Sequence, residues 1–111
     1  MFIKKEIEGR LSEFIELCTS HNVKNLHAFG SSTSTNFNKK TSDIDLLVEI
    51  DEKDPILRGE KLMSLWDKFE DFFKRKVDLL TYNSIKNPIL KRNIDSTKVK
   101  IYDGTGGEIH S

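Results

Sequence analysis

The sequence predicts an α+β domain, close to α/β in character: a small mixed β-sheet with helices packed on it. Three observations carry this. Apolar residues recur at helical spacing before residue 20 and again between residues 62 and 73. Short apolar or alternating runs lie between and after them. The link from Ile50 to Lys76 holds a full helix, enough for a crossover between parallel strands. The chain has 111 residues, which suits one core rather than two.

Taken in order, Ile7, Leu11, Phe14, Ile15 and Cys18 make the stripe of a first helix, closed by His21-Asn22. Gly9 weakens its first turns by about 1 kcal/mol relative to alanine. Val23 to Phe29 reads as a short strand broken by Gly30-Ser31. Ser31 to Thr41 is polar, with one aromatic, Phe37, and suits a loop or a short capped helix. Asp43 to Ile50 is the best strand, its middle continuously apolar as in a strand covered on both faces. After a turn at Asp51 to Pro55 comes a long amphipathic helix with Leu62, Leu65, Trp66, Phe69 and Phe73 on one stripe. Lys76 to Tyr82 is a third strand. Asn87-Pro88 opens a short helix with proline at its first position and Ile89, Leu90 and Ile94 on its apolar side. Lys98 to Tyr102 alternates and reads as an edge strand. The domain is expected over residues 1–103, with 104–111 a glycine-rich disordered tail.

Composition narrows the function classes. Lysine plus arginine equals aspartate plus glutamate at 18 each, so no broad basic field exists and direct nucleic-acid binding is not expected. The single cysteine excludes an internal disulfide and points to a reducing compartment. No apolar run nears the roughly 20 residues of a membrane span, and the first ten residues lack the apolar core of a signal peptide. A cytoplasmic protein is expected.

The chemistry concentrates in TSDIDLLVEI. Asp43 and Asp45 are one residue apart, so in a strand they share a face at the mouth of an apolar run. Two crowded carboxylates are costly without a cation between them. Mg²⁺, a hard ion that takes one or two carboxylates plus substrate phosphates, suits them. Asp78, in KRKVDLLTY, also lies between apolar neighbours near the start of a strand. If the second and third strands are parallel neighbours, Asp43, Asp45 and Asp78 meet at one end of the sheet. Such a cluster can hold one or two metal ions for in-line phosphoryl displacement. Gly30-Ser31, at the end of the first strand, could bring backbone and hydroxyl close to a phosphate. His27 beside that turn reads as a partly buried strand histidine, and Cys18 as a small buried hydrophobe.

The set FGSS, SDIDLLVE and VDLL, between His27 and Leu80, resembles the nucleotidyltransferase superfamily of DNA polymerase beta. It is most similar to the minimal nucleotidyltransferases. The resemblance implies a polymerase-beta-type fold, with Gly30 and Ser31 on the nucleotide triphosphate and Asp43 and Asp45 on Mg²⁺. Asp78 would complete the second metal site and help deprotonate an acceptor hydroxyl. It implies ATP or another nucleoside triphosphate as substrate. It also implies a helical HEPN-type partner, for which the chain acts as antitoxin by attaching AMP. A binding module that neutralises its partner by contact alone is the alternative, and homo-oligomer formation is left open. Members usually follow Gly-Ser with an arginine and a second glycine; Ser34 and Thr35 stand there in this chain, with Lys39 and Lys40 further along the loop.

Overall fold

In a computed structural model, residues 2–33 and 43–105 are described. Two helices, α1 (Phe2–Gly9) and α2 (Leu11–Ser20), precede β1 (Val23–Ala28) and a 3₁₀ turn over Gly30–Thr33. Then come β2 (Ile44–Ile50), α3 (Pro55–Phe73), β3 (Val77–Leu80), a second 3₁₀ turn over Tyr82–Ser84, α4 (Pro88–Thr97) and β4 (Val99–Asp103). The sheet order is β3-β2-β1-β4. β2 and β3 are parallel, joined through α3, while β1 runs antiparallel to both β2 and β4. The mixed sheet, the crossover and the edge position of β4 follow the sequence expectation.

Several boundaries depart from it. The expected first helix is two, broken at Arg10, whose backbone (φ −142°, ψ 51°) leaves the helical region. Gly9 alone does not cause this. The Arg10 guanidinium donates to the Phe72 carbonyl, lies 3.9 Å over the Phe72 ring and pairs with Glu13. A tertiary anchor thus sets the break. β3 is shorter than Lys76 to Tyr82 because Tyr82 turns into the 3₁₀ segment and its hydroxyl donates to Asp95. In α4 only Ile94 is buried; Ile89 is 76% exposed and Leu90 38%. Asp54 and Asn87 cap α3 and α4, each accepting from two backbone N–H groups, with proline next in both. The polar stretch from Ser34 to Ser42, with Phe37, Lys39 and Lys40, and residues 106–111 of the glycine-rich tail lie outside the described residues.

The two sheet faces differ. Ile44, Leu46, Val48, Val77 and Leu79 join Ile3, Ile7, Phe14, Cys18, Leu65, Phe69, Phe72 and Phe73 in the main core. Phe14 stands 5.8 Å from Phe69 and 5.7 Å from Phe72, centroid to centroid, within the range of favourable ring pairs. Burial pushes the Cys18 thiol up to about 12, so it behaves as a hydrophobe. His21, also buried, is tied to the Leu17 carbonyl at 2.7 Å and the Ser64 hydroxyl at 2.9 Å. The alternate residues of β2 and β3 face the other way. There Leu47 and partly buried Leu80 join Phe29, Ile85 and Ile94 in a small second cluster. On the same face, nearer the strand starts, stand Asp45 and Asp78.

Candidate active site

The register of the parallel pair builds the site. Asp45 on β2 is the direct partner of Asp78 on β3, between the pairs Ile44–Val77 and Leu46–Leu79. Direct neighbours in adjacent strands share a face, about 4.8 Å apart along the sheet. Both aspartates are half-buried, as is Asp43 one residue before β2. The Asp45 carboxyl is pushed up from 3.8 to about 6, first by burial, then by the negative charges of Asp78 and Asp43. The three carboxylates are therefore close enough to repel.

The backbone around the pair is held on every side. The Asp45 carbonyl accepts from the Phe29 N–H at 3.1 Å, and the Asp45 N–H donates to the Ser32 hydroxyl at 2.8 Å. Ile44 N–H donates to the Lys76 carbonyl at 3.1 Å. Across β3, the Trp66 indole N–H donates to the Val77 carbonyl at 2.6 Å, and the Val77 N–H donates to the Glu70 carboxylate at 3.0 Å. Both backbone groups of the residue before Asp78 are thus fixed by α3. Ser32, Trp66 and Glu70 were not legible as parts of the site. Ser32 reads as one more loop serine, and Trp66 and Glu70 read as two faces of an amphipathic helix.

The 3₁₀ turn brings Gly30 to the pair. Gly30 has φ +63°, and a Cβ there would stand 3.1 Å from a carboxylate oxygen of Asp45. Glycine permits both the left-handed backbone and the close approach. Its N–H is already donated to the Thr97 hydroxyl at 3.0 Å. Ser31 is exposed beside it, and Ser32 is buried. His27 is turned to a groove of about 640 Å³ lined also by Leu47, Glu49, Arg58, Tyr82 and Lys98, which contains none of the three aspartates. Burial, then Lys98 and Lys100, lower the His27 pKa, so the ring is neutral near pH 7.

The donor set fits a hard divalent ion. Among the described residues no group of three carboxylate, imidazole or thiol side chains, the three aspartates included, is placed to hold a metal ion. Mg²⁺ does not need one, since it commonly takes one or two carboxylates and completes its shell with water and phosphate oxygens. Asp45 and Asp78 supply two such oxygen donors whose mutual repulsion a cation would relieve, with Asp43 adjacent.

The chain is similar to known proteins in both sequence and fold. The family described as "Polymerase beta, Nucleotidyltransferase" matches residues 12–105. Two proteins of Methanocaldococcus jannaschii, provisionally named protein adenylyltransferases, resemble the chain closely. One is 38% identical over 78% of this chain and 84% of its own length, the other 39% identical over 80% and 90%. Among solved structures, a provisionally named minimal nucleotidyltransferase superposes with a TM-score of 0.61 at 22% identity, covering 86% of this chain and 93% of that one. A chain of a toxin–antitoxin complex crystallised with AMP-PNP gives 0.58 at 22% identity, covering 88% and 77%. Among the described residues no helix is long and apolar enough to cross a membrane. With the family match spanning most of its length, the chain belongs to the polymerase beta nucleotidyltransferase family.

Proposed function

We propose that this protein transfers AMP from ATP to a hydroxyl group of a partner protein, with Mg²⁺, and that the partner is a helical HEPN-type toxin. The observation that carries the reading is the in-register pair Asp45–Asp78 with Gly30 packed against it. The provisional names of the archaeal relatives support the transferred group and acceptor class. The toxin–antitoxin complex with AMP-PNP supports the nucleotide and a toxin as the partner. The lone, buried Cys18 suits the reducing cytoplasm such a partner implies.

The roles are those that the family resemblance implies, and the in-register acidic pair supports them. Asp43, Asp45 and Asp78 would hold Mg²⁺, which when bound would neutralise charge on the phosphates and align them for in-line displacement. Gly30 and Ser31 lie against the triphosphate, Ser31 offering its exposed hydroxyl. The acceptor oxygen forms a bond to the α-phosphorus as the bond to the bridging oxygen breaks, and pyrophosphate leaves. Asp78, on the edge strand, takes the acceptor proton. Catalysis on this scheme is positioning and charge neutralisation rather than covalent work by the protein.

The test is incubation with ATP labelled at the α-phosphorus, Mg²⁺ and the product of the neighbouring reading frame. Label should move to that protein, and Asp43→Asn/Asp45→Asn should abolish the transfer. Undiminished transfer by the double variant refutes the assignment. The contact-only module is favoured by Ser34 and Thr35 standing where the resemblance leads us to expect arginine and glycine. Calorimetry separates the two: tight partner binding with no heat from Mg²⁺ and AMP-PNP would support the module.

A further inference from the structure

We propose that Thr97, at the end of α4, is a positioning residue for the nucleotide, acting through Gly30. This rests on the adenylyl-transfer reading above and adds to it a residue 67 positions from the turn it controls.

The hydrogen-bond directions are fixed by counting donors. A threonine hydroxyl has one hydrogen and two lone pairs. The Thr97 hydrogen goes to the Asn93 carbonyl at 2.8 Å, inside α4. The hydroxyl oxygen is then an acceptor for the Gly30 N–H at 3.0 Å. Gly30 is held from its other side by Thr33, whose hydroxyl donates to the Gly30 carbonyl at 2.9 Å. Ser32 of the same turn accepts from the Asp45 N–H. The turn is thus pinned to α4 at one end and to the acidic strand at the other, and exposed Ser31 is the residue between the pins.

Helix α4 is a firm anchor for this. Ile94 is fully buried against the cluster of Phe29, Leu47 and Ile85, which sets the helix on the sheet without help from Thr97. Valine has nearly the shape of threonine but cannot accept a hydrogen bond. Thr97→Val therefore keeps the packing and frees the Gly30 N–H. A left-handed residue with an unheld N–H can tilt, and tilting a turn packed so close to Asp45 that an added Cβ on Gly30 would stand 3.1 Å from the carboxylate would carry Ser31 out of line with it. Misplacing Ser31 weakens its charge-assisted contact with the triphosphate, an effect of about tenfold on affinity.

The experiment is calorimetric binding of Mg²⁺·AMP-PNP to the full chain, with thermal melting alongside. Thr97→Val should weaken binding about tenfold, while Thr97→Ser, which restores the acceptor, should stay within about twofold of the parent. Ile94→Val, which loosens the same helix by cavity formation, should lower the melting temperature yet leave the affinity unchanged. Parent-like affinity in Thr97→Val overturns the proposal, as does an equal loss in Ile94→Val, because Thr97 would then only support the helix. If the parent chain itself binds no Mg²⁺·AMP-PNP, the adenylyl-transfer reading fails and the positioning role falls with it.

Discussion

The two faces of the sheet are built on opposite terms. The face under α1, α2 and α3 gathers Phe14, Phe69, Phe72, Phe73 and Tyr102 around the aliphatic residues of all four strands. Its rings pack in stacked, tilted and edge-on pairs that support one another. The opposite face holds a small cluster around Leu47 and Ile94, and beside it carboxylates crowded into a half-buried rim. One face stabilises the fold; the other is held in an unfavourable state by it. Proteins commonly concentrate such conflicts where they work. The contrast implies that changes on the two faces should separate stability from activity.

The largest expected effect is on transfer. Asp78→Asn should lower the rate of labelled AMP transfer by about a thousandfold or more while circular dichroism stays parental. Next is the packed face. Phe69→Ala should cost about 3–5 kcal/mol in denaturant unfolding, since it empties a fully buried ring site between Phe14 and Phe73. Trp66→Phe probes the link between the faces. It removes the donor to the Val77 carbonyl and should cost about 1–2 kcal/mol, with transfer slowed beyond what the melting curve accounts for.

The acidic face predicts a gain. Asp45 ionises near 3.8 when unfolded and at about 6 when folded, so the fold favours its neutral form. Ionisation therefore pulls toward the unfolded state, a penalty absent below about pH 4 and complete above about pH 6. Asp45→Asn should thus raise stability at pH 7.5 by about 1–2 kcal/mol after discounting for solvent screening, and change little at pH 3.5. An unchanged or lowered melting temperature at pH 7.5 would remove the electrostatic part of the contrast. The smallest effect belongs to Ile89→Gln, on the exposed side of α4, which should shift unfolding by less than about 0.5 kcal/mol.

Much of this was legible in the sequence because it depends on local periodicity. The alternation of Asp45 and Leu47 against Ile44, Leu46 and Val48 announces which residues share a face, and the helix between Ile50 and Lys76 announces a parallel neighbour for β2. That Asp45 and Asp78 meet at one end of the sheet follows from those two facts, while the register that pairs them directly is seen in the structure. What local pattern does not carry is contact between distant residues. The break at Arg10 depends on Phe72, and the shape of the Gly30 turn depends on Thr97. Ile89 and Leu90 have the spacing of a buried stripe, but α4 meets the sheet through Ile94 near its other end. Periodicity names a stripe and cannot say how much of it finds a partner.

Asp45 and Asp78 share a rim, and their repulsion is what a bound cation would relieve. Carboxylate-carbon NMR of Asp45, followed as a function of pH, tests it most directly. The expected midpoint is near 6 in the metal-free chain, lower in Asp78→Asn, and lower again in the parent when Mg²⁺ is added. A midpoint near 4 that neither the substitution nor Mg²⁺ moves would contradict it.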